Sequence, residues 1–150
     1  MLVFREAGIE DFEQIRQLYR QLNPDDPELT DGSDAAAFAA IIDRPGLHLF
    51  VLDTGGAIIA TAYLNLIPNL SRSASPYAVI ENVVVEKELR GTGLGKRIMA
   101  DTLQVAWDAG CYKAMLMTGS RRSSTLAFYK ACGFDPDAKS AFVARPPRAR

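Results

Sequence analysis

Apolar residues along this chain change their spacing from segment to segment, and the changes mark out its elements. Ile9, Phe12, Ile15, Leu18, Tyr19 and Leu22 recur every three or four positions, so residues 9–22 predict a helix with a single apolar stripe. The run Asn23-Pro24-Asp25-Asp26-Pro27 ends it. A second helix is expected up to residue 42, capped by Ser33 or Asp34 and stopped by Pro45-Gly46. Residues 47–52 and 57–66 flank Asp53-Thr54-Gly55-Gly56, which predicts a hairpin. Short strands are also expected at residues 2–5, 113–117 and 140–144, a long strand at 77–85, and helices at 94–108 and 123–132. Between the hairpin and the long strand lies an irregular loop, 68–76, rich in Ser and Asn. The order is β-α-α-β-β-β-α-β-α-β, without repeats, and predicts one α/β domain over residues 1–150.

The most informative transition is Val83-Val84-Val85-Glu86-Lys87-Glu88-Leu89-Arg90-Gly91-Thr92-Gly93-Leu94-Gly95-Lys96, a β-branched strand running into a glycine turn and then a helix. Glycine lets the backbone turn tightly and approach a ligand closely. The following helix opens with unpaired amides and a positive dipole end, which suits an anion. A Walker A loop does not fit, because Arg90 stands where its first Gly belongs and Arg97, not Ser or Thr, follows Lys96. A dinucleotide fingerprint does not fit either: the spacing is Gly-x-Gly-x-Gly, and too little chain follows for a doubly wound sheet. Taken alone, the glycines could serve only as a turn.

A second segment adds weight. Residues 123–134, Ser-Ser-Thr-Leu-Ala-Phe-Tyr-Lys-Ala-Cys-Gly-Phe, carry Leu126, Phe128, Tyr129 and Cys132 at helical spacing, with Gly133 as the C-terminal stop before Phe134. Arg90-x-x-Gly93-x-Gly95 resembles the pyrophosphate-binding motif of the GNAT superfamily of acyl-coenzyme A-dependent N-acyltransferases. Tyr129-x-x-x-Gly133-Phe134 is similar to that superfamily's ending. The likeness is specific over residues 77–134 and topological elsewhere. Glu81-Asn82-Val-Val-Val, the glycine loop and Gly110-Cys111-Tyr112-Lys113 look most like amino-sugar acetyltransferases such as the glucosamine-6-phosphate N-acetyltransferases. The chain departs from the pattern twice. Arg122 stands where many members carry an Asn that contacts coenzyme A, and Thr125 replaces an Ala. Arg121 or Arg122 could bind a phosphate there instead.

The resemblance implies a single-domain GNAT fold, a mixed sheet splayed into a V-shaped cleft and flanked by helices, with acetyl-CoA as cosubstrate. It places the pyrophosphate on the backbone of Arg90, Gly91, Thr92, Gly93, Leu94, Gly95 and Lys96, and the pantetheine arm beside Val83, Val84 and Val85. Acyl transfer needs an uncharged amine, although a free alkylamine has a pKa of about 10.4. Glu81 is the candidate base, directly or through water; an outward-facing strand residue or ion-pair partner is the competing reading. Tyr129 is the candidate acid for the leaving thiolate, against the alternative of core packing. A backbone N–H freed by a bulge in the central strand would polarise the carbonyl. Ser71 and Arg72 are candidate acceptor contacts. The expected acceptor is a primary amine on a small molecule, attacked directly in a ternary complex. Acetylation of a peptide or protein, at its N-terminus or a lysine, and a non-catalytic acyl-CoA sensor are the competing functions.

Composition narrows the partners. With 48% hydrophobic residues in 150 the chain can bury a real core. Seventeen basic against eighteen acidic residues give a net charge of −1, so no global field draws it to nucleic acid or an acidic membrane surface. No apolar run approaches the ~18 residues of a membrane span, and no signal-peptide layout is visible. Cys111 and Cys132 lack metal-site spacing and read as reduced thiols of a cytoplasmic protein, with no metal expected. The lone His48, inside an apolar run, reads as structural. Homodimers are common in the superfamily, which makes a second copy of the chain a partner to test.

Overall fold

Strands β1 (Val3–Glu6), β2 (Leu47–Asp53), β3 (Ile58–Ile67), β4 (Tyr77–Val85) and β5 (Ala114–Met115) lie side by side in chain order in one sheet. The computed structural model describes residues 1–148. The first four strands pair antiparallel, and β4 and β5 pair parallel. The chain falls into two compact units, Met1–Leu116, which holds the sheet, and the part from Met117 onward.

Helices cover both faces of the sheet, which is how a sheet apolar on both sides is buried. On one face Ile15 and Leu18 of α1 (Phe12–Leu22) and Phe38 of α2 (Ser33–Asp43) pack with Leu49, Val51, Ile58 and Val84. On the other, Ile98 of α4 (Leu94–Asp108) packs on Leu52, Ala60 and Ala62. The two alanines keep β3 thin there, so α4 lies close to the sheet. Buried Ile98, Thr102 and Ala106 repeat every four residues along α4 and form its core stripe. The helix starts at the residue the sequence predicts, because Gly93 (φ 90°) turns the chain into it. Between β3 and β4 the four-residue turn α3 (Ser71–Ala74) is left-handed, with φ of 54° at Arg72, 58° at Ser73 and 57° at Ala74.

Several expectations change. Residues 9–11 form a 3-10 turn, and Ile9 is exposed, so the apolar stripe begins at Phe12. The Asp11 carboxylate explains the tighter turn: it accepts the Gly8 amide at 2.8 Å and grips Arg5 of β1 at 2.6 and 2.9 Å. Neither Ser33 nor Asp34 caps α2. Gly32, at φ 81°, precedes it, and Asp31 takes the Ser33 amide and hydroxyl. The strand expected at 113–117 shrinks to β5, which pairs with only two residues of β4. The strand expected at 140–144 does not form, and Phe142 and Val143 are exposed. Among its described residues the second unit contains the helix α5 (Ser123–Ala131) and no strand, so this segment has no ladder partner within its unit. The His48 Nδ1 lies 2.7 Å from Glu6, and its ring stacks on Phe50.

Arg5 joins β1 to the turn through Asp11 and to β2 through Asp53, 2.9 Å from its Nε. Asp11 is buried, and its hydrogen bonds from Arg5 hold its carboxyl below the usual range. Asp11→Asn is expected to cost about 2 kcal/mol, read as a lower midpoint of urea unfolding, because Arg5 loses one of its two charged partners, the buried one. A carboxyl depressed in the folded state stabilises above its unfolded pKa of about 4 and loses that contribution as pH falls. The gap between the two proteins should therefore narrow below that pH.

Candidate active site

The glycine loop follows β4 through a 3-10 turn, Lys87–Leu89, and its polar groups fall into two sets. One set is spent on the protein. The Arg90 amide returns to the Lys87 carbonyl at 3.4 Å, the Arg90 Nε donates to the Val85 carbonyl at 3.0 Å, and the Thr92 hydroxyl donates to Leu89. The other set is not. Among the described residues, no protein acceptor meets the amides of residues 91–96. Arg90 therefore leaves the expected row of donors, and Gly91, Thr92, Gly93, Leu94, Gly95 and Lys96 remain in it.

Gly91 (φ 78°) and Gly93 (φ 90°) both hold left-handed backbone, and a Cβ at either would project into open space. Unpaired amides beside such space at a helix N-terminus suit an anion with several oxygens, and a diphosphate fits. Lys96 adds an exposed cation without a carboxylate partner among the described residues, whereas Arg97 is paired with Asp101. Gln21, at the end of α1, holds the start of the loop: its Nε2 donates to Glu86 at 2.9 and 3.0 Å, and its Oε1 accepts the Lys87 amide at 2.9 Å. Nothing in the sequence marks Gln21, because its partners lie 65 and 66 positions away.

The sheet opens beside this loop. β4 pairs with β5 only at Ala78 and Val79, so from Ile80 to Val85 its edge on that side has no strand partner among the described residues. Val83 and Val85 pack toward Leu94 and Ile98, while Val84 is buried on the α1 side. What the three valines share is that backbone edge, where an extended arm could add as a strand.

Within β4 the register slips. Tyr63 pairs with Glu81 and Thr61 with Val84, so Asn82 and Val83 together face Ala62. The central strand therefore carries a bulge, and Asn82 holds φ 51° in it. Asn tolerates left-handed backbone better than most residues, which is the one sequence signal that marks the position. Glu81 is half-buried opposite Tyr63, whose phenol burial pushes up in pKa. Burial of Tyr19, on α1, drives its phenol pKa up to about 12.

In the loop before β4, Asn69 donates to the carbonyls of Ser71 and Ser75 at 2.9 and 3.3 Å and so holds α3 in its left-handed form. Arg72 lies 6.0 Å over the Tyr112 ring, and the Lys113 ammonium sits 5.2 Å from the same ring and 5.3 Å from Tyr77. A separate apolar cavity of about 320 Å³ lies between α1 and α2, rimmed by the Arg16–Asp34 pair; it includes neither Glu81 nor the glycine loop.

In the second unit, Tyr129 lies on α5 and its carbonyl accepts the amides of Cys132 and Phe134, both at 3.1 Å, around Gly133 at φ 95°. Its ring meets Phe128 and Phe134. Arg122 is exposed and immediately precedes α5. Among the described residues there is no group of three or more His, Cys, Asp or Glu placed to hold a metal ion, and no helix is long and apolar enough to cross a membrane.

Known proteins resemble this chain. The family model described as "Acetyltransferase (GNAT) family" matches residues 12–134, a span that runs across both units. The chain belongs to the GNAT family. It is therefore an acyl-CoA-dependent acetyltransferase by descent. A glucosamine 6-phosphate N-acetyltransferase of Trypanosoma brucei brucei is 32% identical over 107 residues, covering 71% of this chain and 68% of that protein. Among solved structures, a provisionally assigned acetyltransferase from Agrobacterium tumefaciens superimposes with a TM-score of 0.91 at 44% identity, covering 96% of this GNAT chain and 99% of the other. The glucosamine-6-phosphate N-acetyltransferase of Arabidopsis thaliana gives a TM-score of 0.80 at 25% identity, covering 97% and 98%.

Proposed function

We propose that the protein moves the acetyl group of acetyl-CoA to the primary amine of a small molecule by direct attack, with amino sugar phosphates the first acceptors to test. The observation that carries this reading is the row of unpaired amides at residues 91–96 beside an unpaired edge of β4. The sugar lead comes from the likeness to glucosamine 6-phosphate N-acetyltransferases.

When bound, the coenzyme supplies an activated acetyl group as a thioester. The protein's part is to hold that group and manage protons. The amides of residues 91–96 and the Lys96 ammonium neutralise diphosphate charge through short, charge-assisted bonds. The free edge of Val83–Val85 aligns the pantetheine arm, and the bulge at Asn82 leaves a backbone amide outside the ladder to polarise the thioester carbonyl. Glu81, two residues before Val83, takes the ammonium proton directly or through water. Tyr129 gives a proton to the departing sulfur; a free phenol has a pKa of about 10, against about 8.5 for a thiol. Arg122 adds charge for a coenzyme phosphate, while Ser71 and Arg72 contact the acceptor. Holding amine and thioester together supplies much of the acceleration.

The test mixes the protein with acetyl-CoA and, separately, glucosamine 6-phosphate, a polyamine, free amino acids, an aminoglycoside, and peptides with free N-termini or lysines, and follows free thiol. Release with a small amine is the expected result. Release with peptides alone would move the protein to peptide acetylation. Tight coenzyme binding without release from any member would make it a sensor.

A further inference from the structure

Two cations at the start of β4 share one aromatic ring. The Arg72 guanidinium lies 6.0 Å from the centre of the Tyr112 ring, and the Lys113 ammonium lies 5.2 Å from it. The ammonium is also 5.3 Å from the Tyr77 ring, which meets Tyr112 edge-on at 6.5 Å. Among the described residues, neither cation has a carboxylate partner. A ring face attracts a cation but occupies few of its N–H groups, so donors remain for an anion. The backbone fixes both cations in place. The Tyr112 amide donates to the Pro76 carbonyl and the Ala78 amide to the Lys113 carbonyl, both at 3.0 Å. Arg72 stands in the left-handed turn that Asn69 ties down, and strain of this kind gathers at ligand clamps.

We propose that Arg72 and Lys113, held against Tyr112 and Tyr77, form an anion subsite that takes a phosphate monoester carried by the acceptor. This inference rests on the acetyl-transfer reading above and assigns the far end of the acceptor to named residues. Tyr77 and Glu81 lie on one face of β4, ahead of the bulge and opposite Ile67 and Tyr63 of β3. They are four residues apart, roughly 13 Å along the strand at ~3.3 Å per residue. A small molecule with its amine at Glu81 and an anionic group at its other end spans that face, helped by the reach of the two long side chains. The charge count favours phosphate. A phosphate monoester carries about −1.5 to −2 at neutral pH and three acceptor oxygens, enough for both a guanidinium fork and an ammonium. A carboxylate brings a single charge and two oxygens. The two cations repel each other across the ring, and a dianion beside them offsets that repulsion.

The kinetic test is a ratio, kcat/KM for glucosamine 6-phosphate over kcat/KM for glucosamine, at saturating acetyl-CoA. It should exceed about ten in the wild type and fall at least about ten-fold in Lys113→Gln and in Arg72→Gln. Damage to the fold slows both sugars and leaves the ratio alone, so the ratio isolates the subsite. Inorganic phosphate, titrated into the labelled protein at constant ionic strength, reads the subsite without turnover. The amides of residues 72 and 113 should shift saturably, and Lys113→Gln should weaken that binding at least about five-fold; shifts at residues 91–96 report the coenzyme cradle and are read apart. A wild-type ratio near one, or a ratio that neither variant changes, would overturn the subsite and leave acetyl transfer standing. Amides at 72 and 113 that do not respond to phosphate would overturn it too, and this result decides alone where neither sugar is a substrate. If phosphate binds as expected while the protein acetylates no amine, the subsite stands and the acetyl-transfer reading fails.

Discussion

Gly93→Glu is expected to weaken acetyl-CoA binding at least about a hundred-fold, which is about 2.7 kcal/mol, while the protein stays folded. Two effects separate at this position. The φ of 90° makes any side chain strained, at roughly 1–2 kcal/mol, a loss that a typical domain stability of about 5–15 kcal/mol absorbs. Apart from its chain neighbours, a Cβ there meets no protein atom within 4 Å, so the fold has room for the new side chain, and in the proposed cradle that room borders the diphosphate. A carboxylate in it takes both the volume and the charge of the diphosphate. Gly93→Ala is the control: it carries the same strain with only a methyl group, so it should retain far more affinity. Titration calorimetry with acetyl-CoA reads both variants. Wild-type affinity in Gly93→Glu would contradict the cradle.

Tyr129→Phe should lower turnover about ten- to a thousand-fold with coenzyme affinity little changed, the range expected for loss of a general acid. The ring contacts with Phe128 and Phe134 do not involve the hydroxyl's proton chemistry, so the α5 ending should keep its form. Steady-state kinetics on the best acceptor from the amine panel, paired with coenzyme titration, makes the comparison. A variant as fast as wild type would remove Tyr129 from the reaction and leave it a packing residue.

Where local chemistry decides the structure, the sequence already spoke clearly. The helix at 94–108 and the strand at 77–85 appear with the predicted bounds, because a glycine turn separates two strongly patterned runs. The row of amides was legible for the same reason. Three features were not, and each depends on something beyond its own segment. The bulge at Asn82 leaves the alternation of Val83, Val84 and Val85 intact and shows only in the register with β3. The left-handed turn at 72–74 carries no glycine and is held by Asn69 from outside it. Gln21 acts on residues 65 and 66 positions away. The strand expected at 140–144 failed for the opposite reason: the residues suit a strand, but among the described residues of their unit there is no strand edge to pair with.

The account turns on where the diphosphate sits, and backbone amides report this directly. In nitrogen–proton correlation spectra of the labelled protein titrated with coenzyme A, the largest shifts are predicted at the amides of residues 91–96, with the Arg90 amide, already bonded to Lys87, moving less. Pantetheine, which lacks the diphosphate, should leave those amides near their starting positions while perturbing residues 83–85. Saturable binding of coenzyme A that leaves residues 91–96 unmoved would contradict the account.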